Sequence, residues 1–345
     1  MGLNVEYQLI IFNGNDCSQL HTMRFKLLLF TIFLNLLSFN RAIAQSHIKD
    51  LTIEIYSDND YYNILGPVTD KYYTNGLKVA INYTKTSPQN NFVSQLMFRF
   101  SNDSSKKISW ALTQNMFTPT DITKDTVSAI DWPYSGALFL TYSLISSNAQ
   151  KTICIKSDLQ LGVLGPLSLV SETQIAYHGW LDFFPPKGWR TQIKNTPIVN
   201  YTVAIQPKLF ANLNMELIGN FEVNVGTLMD QLRAGYQLKL GKLGDYSERK
   251  KTKTQIFLIN TAQLGFVAYN SYLEGSIFEK TSQKNLDIEH TLLPSELNKI
   301  YFESTIGFDV MFKTCSFSYS QKYRTPQTKN TTSLLIGNFT LYLPI

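Results

Sequence analysis

From about residue 51 onward, apolar and polar residues alternate in short runs. Leu77, Val79, Ile81 and Tyr83 share one face, opposite Lys78, Ala80, Asn82 and Thr84. The same period of two returns at Leu51, Ile53 and Ile55, at Leu96, Phe98 and Phe100, and at Ile108, Trp110 and Leu112. It recurs over residues 138–144, 159–163, 221–225, 236–240 and 315–319. Successive side chains of a β-strand point to opposite faces, so this period predicts strands throughout. Between them, 118–133 and 165–197 break the pattern with prolines, tryptophans and acids, and the second stretch reads as partly helical. Residues 246–254 are basic and 282–298 are polar, and both read as solvated loops.

Alternation alone fits a secreted sandwich or lipocalin-like fold, apolar side inward, as well as a membrane barrel, apolar side toward lipid. Three further features favour the barrel. Met23-Arg24-Phe25-Lys26 is a basic start, about 13 largely apolar residues follow, and Ala42-Ile43-Ala44 supplies small residues for cleavage. Residues 23–44 therefore read as a signal peptide, 1–22 as an upstream extension, and 45–345 as one domain. Charged residues make up only 17% of the chain and aromatics 13%. Mean hydropathy is −0.10, with no long apolar run after the signal. Few charges, many aromatics and intermediate hydropathy suit an antiparallel, up-and-down transmembrane β-barrel. At roughly 25 residues per strand and turn, the mature chain makes about 12 strands.

Charge and cysteines exclude other classes. The net charge of +5 falls to about +4 without the leader and is not clustered, so no nucleic-acid partner is expected. Cys17 lies in the leader region, and Cys154 and Cys315 sit in alternating runs as small packed residues. There is no CxxC, HExxH or GxSxG, which speaks against structural zinc and a hydrolase serine elbow.

Chemistry-bearing residues gather at strand ends. Asn59 and Asp60 follow the first strand; a carboxamide beside a carboxylate offers oxygen ligands to a hard cation such as Ca²⁺, or simply builds a turn. His47 and His290 lie in leader-like and loop segments, whereas His178 stands in the helical stretch, as a general base or a structural imidazole. Thr74 is a ligand or orienting hydroxyl, or an ordinary strand residue. Lys124 is an anion-binding or simply solvated loop lysine.

Taken together these segments resemble the LpxR family of outer-membrane barrels, the lipid A 3′-O-deacylases. The resemblance rests on Asn59-Asp60, Asp70-Lys71-Tyr72-Tyr73-Thr74-Asn75-Gly76, Thr118-Pro119 and Asp131-Trp132-Pro133-Tyr134-Ser135-Gly136. It continues through Leu161-Gly162-Val163-Leu164-Gly165-Pro166, His178 and Gly188-Trp189-Arg190-Thr191-Gln192-Ile193-Lys194-Asn195. These cover residues 50–200, while the second half matches only as alternating strands.

The resemblance implies a 12-stranded barrel in the bacterial outer membrane, acting as a monomer on lipid A of lipopolysaccharide. The implied reaction is Ca²⁺-dependent hydrolysis of the 3′ acyloxyacyl ester, with His178 activating water. Asn59, Asp60 and Thr74 then correspond to the metal site and Lys124 to a family lysine. A family glutamate six residues past the histidine corresponds to Phe184, with Asp182 nearby. The alternatives are a non-catalytic porin-like or scaffold barrel, and an outer-membrane phospholipase.

Overall fold

In a computed structural model of the chain, the structure describes residues 48–66, 71–85, 92–100, 106–148, 150–241, 254–278, 291–312 and 314–345. The signal-like segment, Cys17, His47, Asp70, His290 and nearly all of 246–254 lie outside the described residues. Twelve strands follow in order: β1 (Ile48–Asn59), β2 (Tyr72–Lys85), β3 (Lys106–Thr118), β4 (Ser135–Ser147), β5 (Ile153–Leu164) and β6 (Thr196–Ala211). The second half holds β7 (Met215–Gly226), β8 (Met229–Gly241), β9 (Gln255–Asn270), β10 (Ile300–Met311), β11 (Ser316–Arg324) and β12 (Leu334–Pro344). Each strand pairs with its neighbours in sequence, and β1 closes on β12 from Thr52↔Pro344 to Asn59↔Gly337. This is the expected closed, up-and-down antiparallel barrel.

The two sides of its wall have opposite character. Leu77 and Val79, Trp110 and Leu112, and Phe221, Val223 and Val225 are exposed on the outside. Polar partners on the same strands turn inward and pair. Lys78 meets Glu54 at 2.6 Å, Lys156 meets Asp158 at 2.9 Å, and Arg233 and Arg324 hold Glu222 and Glu303. A soluble sandwich would bury those apolar side chains; lipid is the solvent that makes their exposure favourable.

The two longest connections, β5 to β6 and β9 to β10, leave the same end of the barrel, and by the usual asymmetry of such barrels that end faces outward and the other faces the periplasm. Buried side chains from six strands and several loops fill the outer mouth. Phe117 stacks on Trp132 at 5.1 Å and on Tyr272 at 4.5 Å, joined by Tyr72, Leu228 and Ile336. Tyr272 comes from the short helix α3 (Ser271–Glu274), whereas α1 (Phe92–Leu96) and α2 (Val170–Leu181) lie elsewhere. Leu292 and Leu297 also enter this core, at 2% and 7% exposure. The stretch expected as a solvated loop thus turns two of its leucines inward where it is described, because they have an apolar layer to join, while Leu293 stays exposed. Below the core lies a polar cavity of about 660 Å³.

The run Leu96, Phe98 and Phe100, expected to be a strand, is not one. It follows α1 and crosses the outside of the wall, its main chain bonded to wall hydroxyls rather than to a neighbouring strand. An alternating apolar pattern does not distinguish a strand from an extended segment lying on one.

Candidate active site

Side chains along β1 alternate between lumen and exterior. Glu54, Tyr56 and Asp58 line the cavity, so Ser57 and Asn59 face outward. Asn59 ends the strand in extended conformation, and its Oδ1 accepts the Tyr61 N–H at 2.7 Å. That cap starts a 3-10 helix, Asp60–Tyr62, so the turn role of the Asn-Asp pair is realised. Asp60 is 3% exposed, and its Oδ2 accepts the Lys71 N–H at 3.0 Å.

Next along the chain, Tyr72 holds φ 66°, a left-handed conformation that is strained for an aromatic residue. Such strain costs on the order of 1–3 kcal/mol and persists only where the surroundings impose it. Here the ring packs on Trp132 at 5.9 Å and the hydroxyl accepts from Thr120 Oγ1 at 3.4 Å. A bulge follows, since Tyr73 pairs with Phe117 but Asn75 with Met116, leaving Thr74 as the extra residue. Thr74 is buried, with its Oγ1 2.6 Å from Thr118 Oγ1. On the lumen side Tyr73 donates to Asp58 at 2.9 Å, and Tyr56 donates to its other oxygen at 2.6 Å. A Cβ at Gly76 would sit 2.1 Å from Asp58 Oδ1, so only glycine leaves room for this pair.

His178 reaches the same rim from α2. Val170, Gln174 and His178 are the helix's buried residues and recur every four positions, which puts them on one face. Val170 meets the outer side of β4 at Gly136, where a Cβ would approach to 2.4 Å. Gln114 of β3 donates to the Ser168 carbonyl at 3.0 Å, and Met116 packs with Val170, Tyr134 and Trp189. The helix therefore lies outside the barrel, against β3 and β4. Burial, then the phenols of Tyr62 and Tyr61, raise the Tyr177 phenol above its ordinary value. Those two phenols belong to the 3-10 helix that also carries Asp60.

The imidazole of His178 is 5% exposed, and Nδ1 lies 2.7 Å from the Phe184 carbonyl. A carbonyl only accepts, so Nδ1 carries the proton and Nε2 is the ring's basic nitrogen. Phe183 meets the ring edge-on at 5.7 Å. The Phe184 side chain is 79% exposed; at this position it is the main chain, not an acid, that orients the histidine. Asp182 takes a left-handed φ of 58° and ends α2.

Lys124 lies in the β3–β4 loop, its carbonyl 3.2 Å from where a Cβ at Gly188 would sit. Its ammonium is 3.2 Å from Asp121, with 70% of the side chain exposed. Hydrogen bonds from the Thr123 hydroxyl and N–H, then Lys124, hold the Asp121 carboxyl below the usual carboxylate range.

Gln174 was missed in the sequence. Its Oε1 accepts the Trp189 indole N–H at 2.7 Å, and its Nε2 is buried with no partner among the described residues. The available signal was its spacing, one helical turn before His178. The side chains of Asn59, Asp60 and Thr74 are a carboxamide, a carboxylate and a hydroxyl, oxygen donors of the kind that suit Ca²⁺. Among the described residues, no group of three or more His, Cys, Asp or Glu could hold a metal. Around the rim Tyr61, Ile64, Leu65, Trp180 and Phe184 are exposed, a dense apolar fringe.

A family model described as outer membrane protein LpxR matches residues 28–344. No curated protein sequence matches. Among solved structures, LpxR from Salmonella typhimurium superposes with a TM-score of 0.66 at 16% identity, covering 85% of this chain and all of that one. The translocator domain of the autotransporter NalP from Neisseria meningitidis gives 0.44 at 7% identity, covering 96% of this chain and 98% of that one. The β domain of the Bordetella autotransporter BrkA also gives 0.44 at 7% identity, covering 86% and 99%.

Proposed function

Because the chain belongs to the family of outer membrane protein LpxR and is itself an outer-membrane barrel, we propose that it is a lipid A deacylase, a carboxylic ester hydrolase acting as a monomer. The bond cleaved in this reading is the 3′ acyloxyacyl ester of lipid A in the outer leaflet. One observation carries the proposal: His178, its tautomer set by a main-chain carbonyl, is buried on the wall-facing side of a helix at the outer end of the barrel, the end at which β1 gives way to the Asn59–Asp60 turn. A basic nitrogen outside the barrel, at the outer rim, meets lipid rather than anything in the lumen.

In the reaction, Nε2 takes a proton from water as the water oxygen adds to the ester carbonyl carbon. Nδ1–H stays on the Phe184 carbonyl and stabilises the imidazolium. As the ester C–O bond breaks, the proton passes from Nε2 to the departing sugar oxygen, and the fatty acid leaves with no covalent acyl-enzyme. Gln174 Nε2 supplies a donor on the same helical face for the developing oxyanion. Asn59, Asp60 and Thr74 would hold Ca²⁺, which when bound supplies Lewis-acid polarisation of the carbonyl. Lys124, out on its loop, meets a phosphate of the lipid A headgroup. The exposed ring of Trp180 and that of Phe184 extend the apolar surface on which acyl chains lie.

The filled outer mouth weighs against a porin. Mass spectrometry of lipid A from cells expressing wild type, His178→Asn or Asp60→Ala tests the reading. Wild type is expected to remove the acyloxyacyl group and both variants to leave it. An identical pattern in all three overturns the proposal, and fatty acid released only from glycerophospholipids replaces it with a phospholipase.

A further inference from the structure

The segment that ends α1 and runs to residue 100 lies against the outside of the wall. Met97 is 4% exposed and packs with Val93 on the outward side chains of Ile108, Tyr142 and Leu144. Its main chain is held by hydroxyls on three strands. Phe98 N–H donates to Tyr201 at 2.7 Å, and that hydroxyl donates to the Leu96 carbonyl at 3.0 Å. Phe100 N–H donates to Ser146 Oγ at 3.0 Å, and Ser157 donates to the Phe98 carbonyl at 2.5 Å. Irregular backbone at membrane depth is tolerated only when its polar groups are satisfied, and these bonds do that. Meanwhile Phe92, Leu96 and Phe98 turn away from the wall, at 74%, 53% and 56% exposure.

What covers those three side chains follows from what lies next to them. Above the segment the wall continues as exposed Trp110, Leu112 and Leu140, the apolar band that lipid covers in an outer-membrane barrel. On β3, Met116 lies beneath the segment around α2 and Ile108 beneath this one. At about 3.4 Å per residue and a tilt near 40°, those positions are roughly 20 Å apart along the barrel axis, close to the apolar band of about 25 Å. We infer that residues 92–100 form a strap facing phospholipid, seated at the acyl–headgroup boundary of the periplasmic leaflet. It fixes the depth of the same wall sector that carries α2 at the other leaflet. Phe92, Leu96 and Phe98 enter the acyl layer, and the wall hydroxyls keep the strap's backbone satisfied.

The test uses spin labels on the whole protein in phosphatidylcholine vesicles, with Cys17, Cys154 and Cys315 replaced by serine. Phe98→Cys is compared with Leu112→Cys on the lipid-facing wall and Leu213→Cys in a short turn at the same end, which is 77% exposed. Collision with oxygen reports lipid, and collision with a water-soluble nickel chelate reports water. A ratio at Phe98→Cys matching Leu112→Cys, several-fold above Leu213→Cys, is expected. A ratio like that of Leu213→Cys overturns the inference, as does shielding from both reagents, which would mean a second protein copy covers the strap. Phe92→Cys repeats the measurement should Phe98→Cys fail to fold. Neither readout depends on hydrolysis, so the result stands apart from the proposed reaction.

Discussion

In one half of the barrel wall, along β3 to β6, outward polar residues do something different from those of β9 and β10. In β9 and β10, Asn260 donates to the Thr305 carbonyl and Ser304 to the Thr261 carbonyl, so both bonds close within adjoining strands. In β3 to β6, Gln114, Ser146, Ser157 and Tyr201 bond off the sheet, to the chain around α2 or to the strap. The first pattern is a wall minding its own hydrogen bonds in lipid. The second is a wall used as a platform. A polar side chain facing lipid is costly unless satisfied, so off-sheet bonds mark where chain was added to the exterior.

Substitutions can break this contrast, and the largest effect is expected on the platform side. His178→Asn should lower deacylation by about 10²–10⁴-fold, the usual contribution of general base catalysis, without altering barrel unfolding. Chelation of Ca²⁺ should silence the wild type reversibly, and in vitro turnover before and after Ca²⁺ is restored checks it. On the other half, Arg233→Ala leaves Glu222 without its Arg233 partner in the lumen. Loss of one member of such a pair costs about 3–5 kcal/mol, measurable by urea unfolding in vesicles, with hydrolysis per folded molecule unchanged. Should Arg233→Ala instead abolish turnover in folded protein, the separation of the halves fails.

Gly136→Leu sharpens the comparison. A Cβ there meets Val170 at 2.4 Å, so α2 must move while the ladder from β3 to β5 stays paired. Turnover should fall about tenfold or more, since a shift of roughly 1 Å in a catalytic group can cost far more than its contacts suggest. Gln174→Leu should cost about 10–10³-fold in kcat if its donor meets the oxyanion. Tyr177→Phe is the mildest change. A phenol whose pKa is raised on folding adds stability that is present below the unfolded value, near 10, and lost as pH rises through the folded value. The phenylalanine variant should therefore hold α2 in place to more alkaline pH, read by Trp180 fluorescence.

Much of the wall was legible because lipid and lumen impose opposite polarity on alternate residues. That constraint writes itself into 77–84, 108–113 and 221–225 without help from distant contacts. Leu96, Phe98 and Phe100 misled because a strap on an apolar wall alternates too, one side on protein and the other outward. Residues 291–298 misled in the other direction, since only the closed mouth gives Leu292 and Leu297 an apolar place to go. Within the site, Asn59, Asp60 and His178 stood out as rare chemistry at strand ends and on a helix. That α2 folds back over β3 and β4, carrying His178 to the outer end of the barrel, is something no local period encodes. Gln174 was hidden for the same reason: its amide oxygen is held by the indole N–H of Trp189, fifteen residues later.

The stacked rings of Phe117, Trp132 and Tyr272 carry a consequence for the cell that makes this protein. A barrel stoppered by its own aromatic residues adds surface to the envelope without adding a leak. Copy number can then rise while small solutes cross no faster, a freedom that an open-bored barrel does not have.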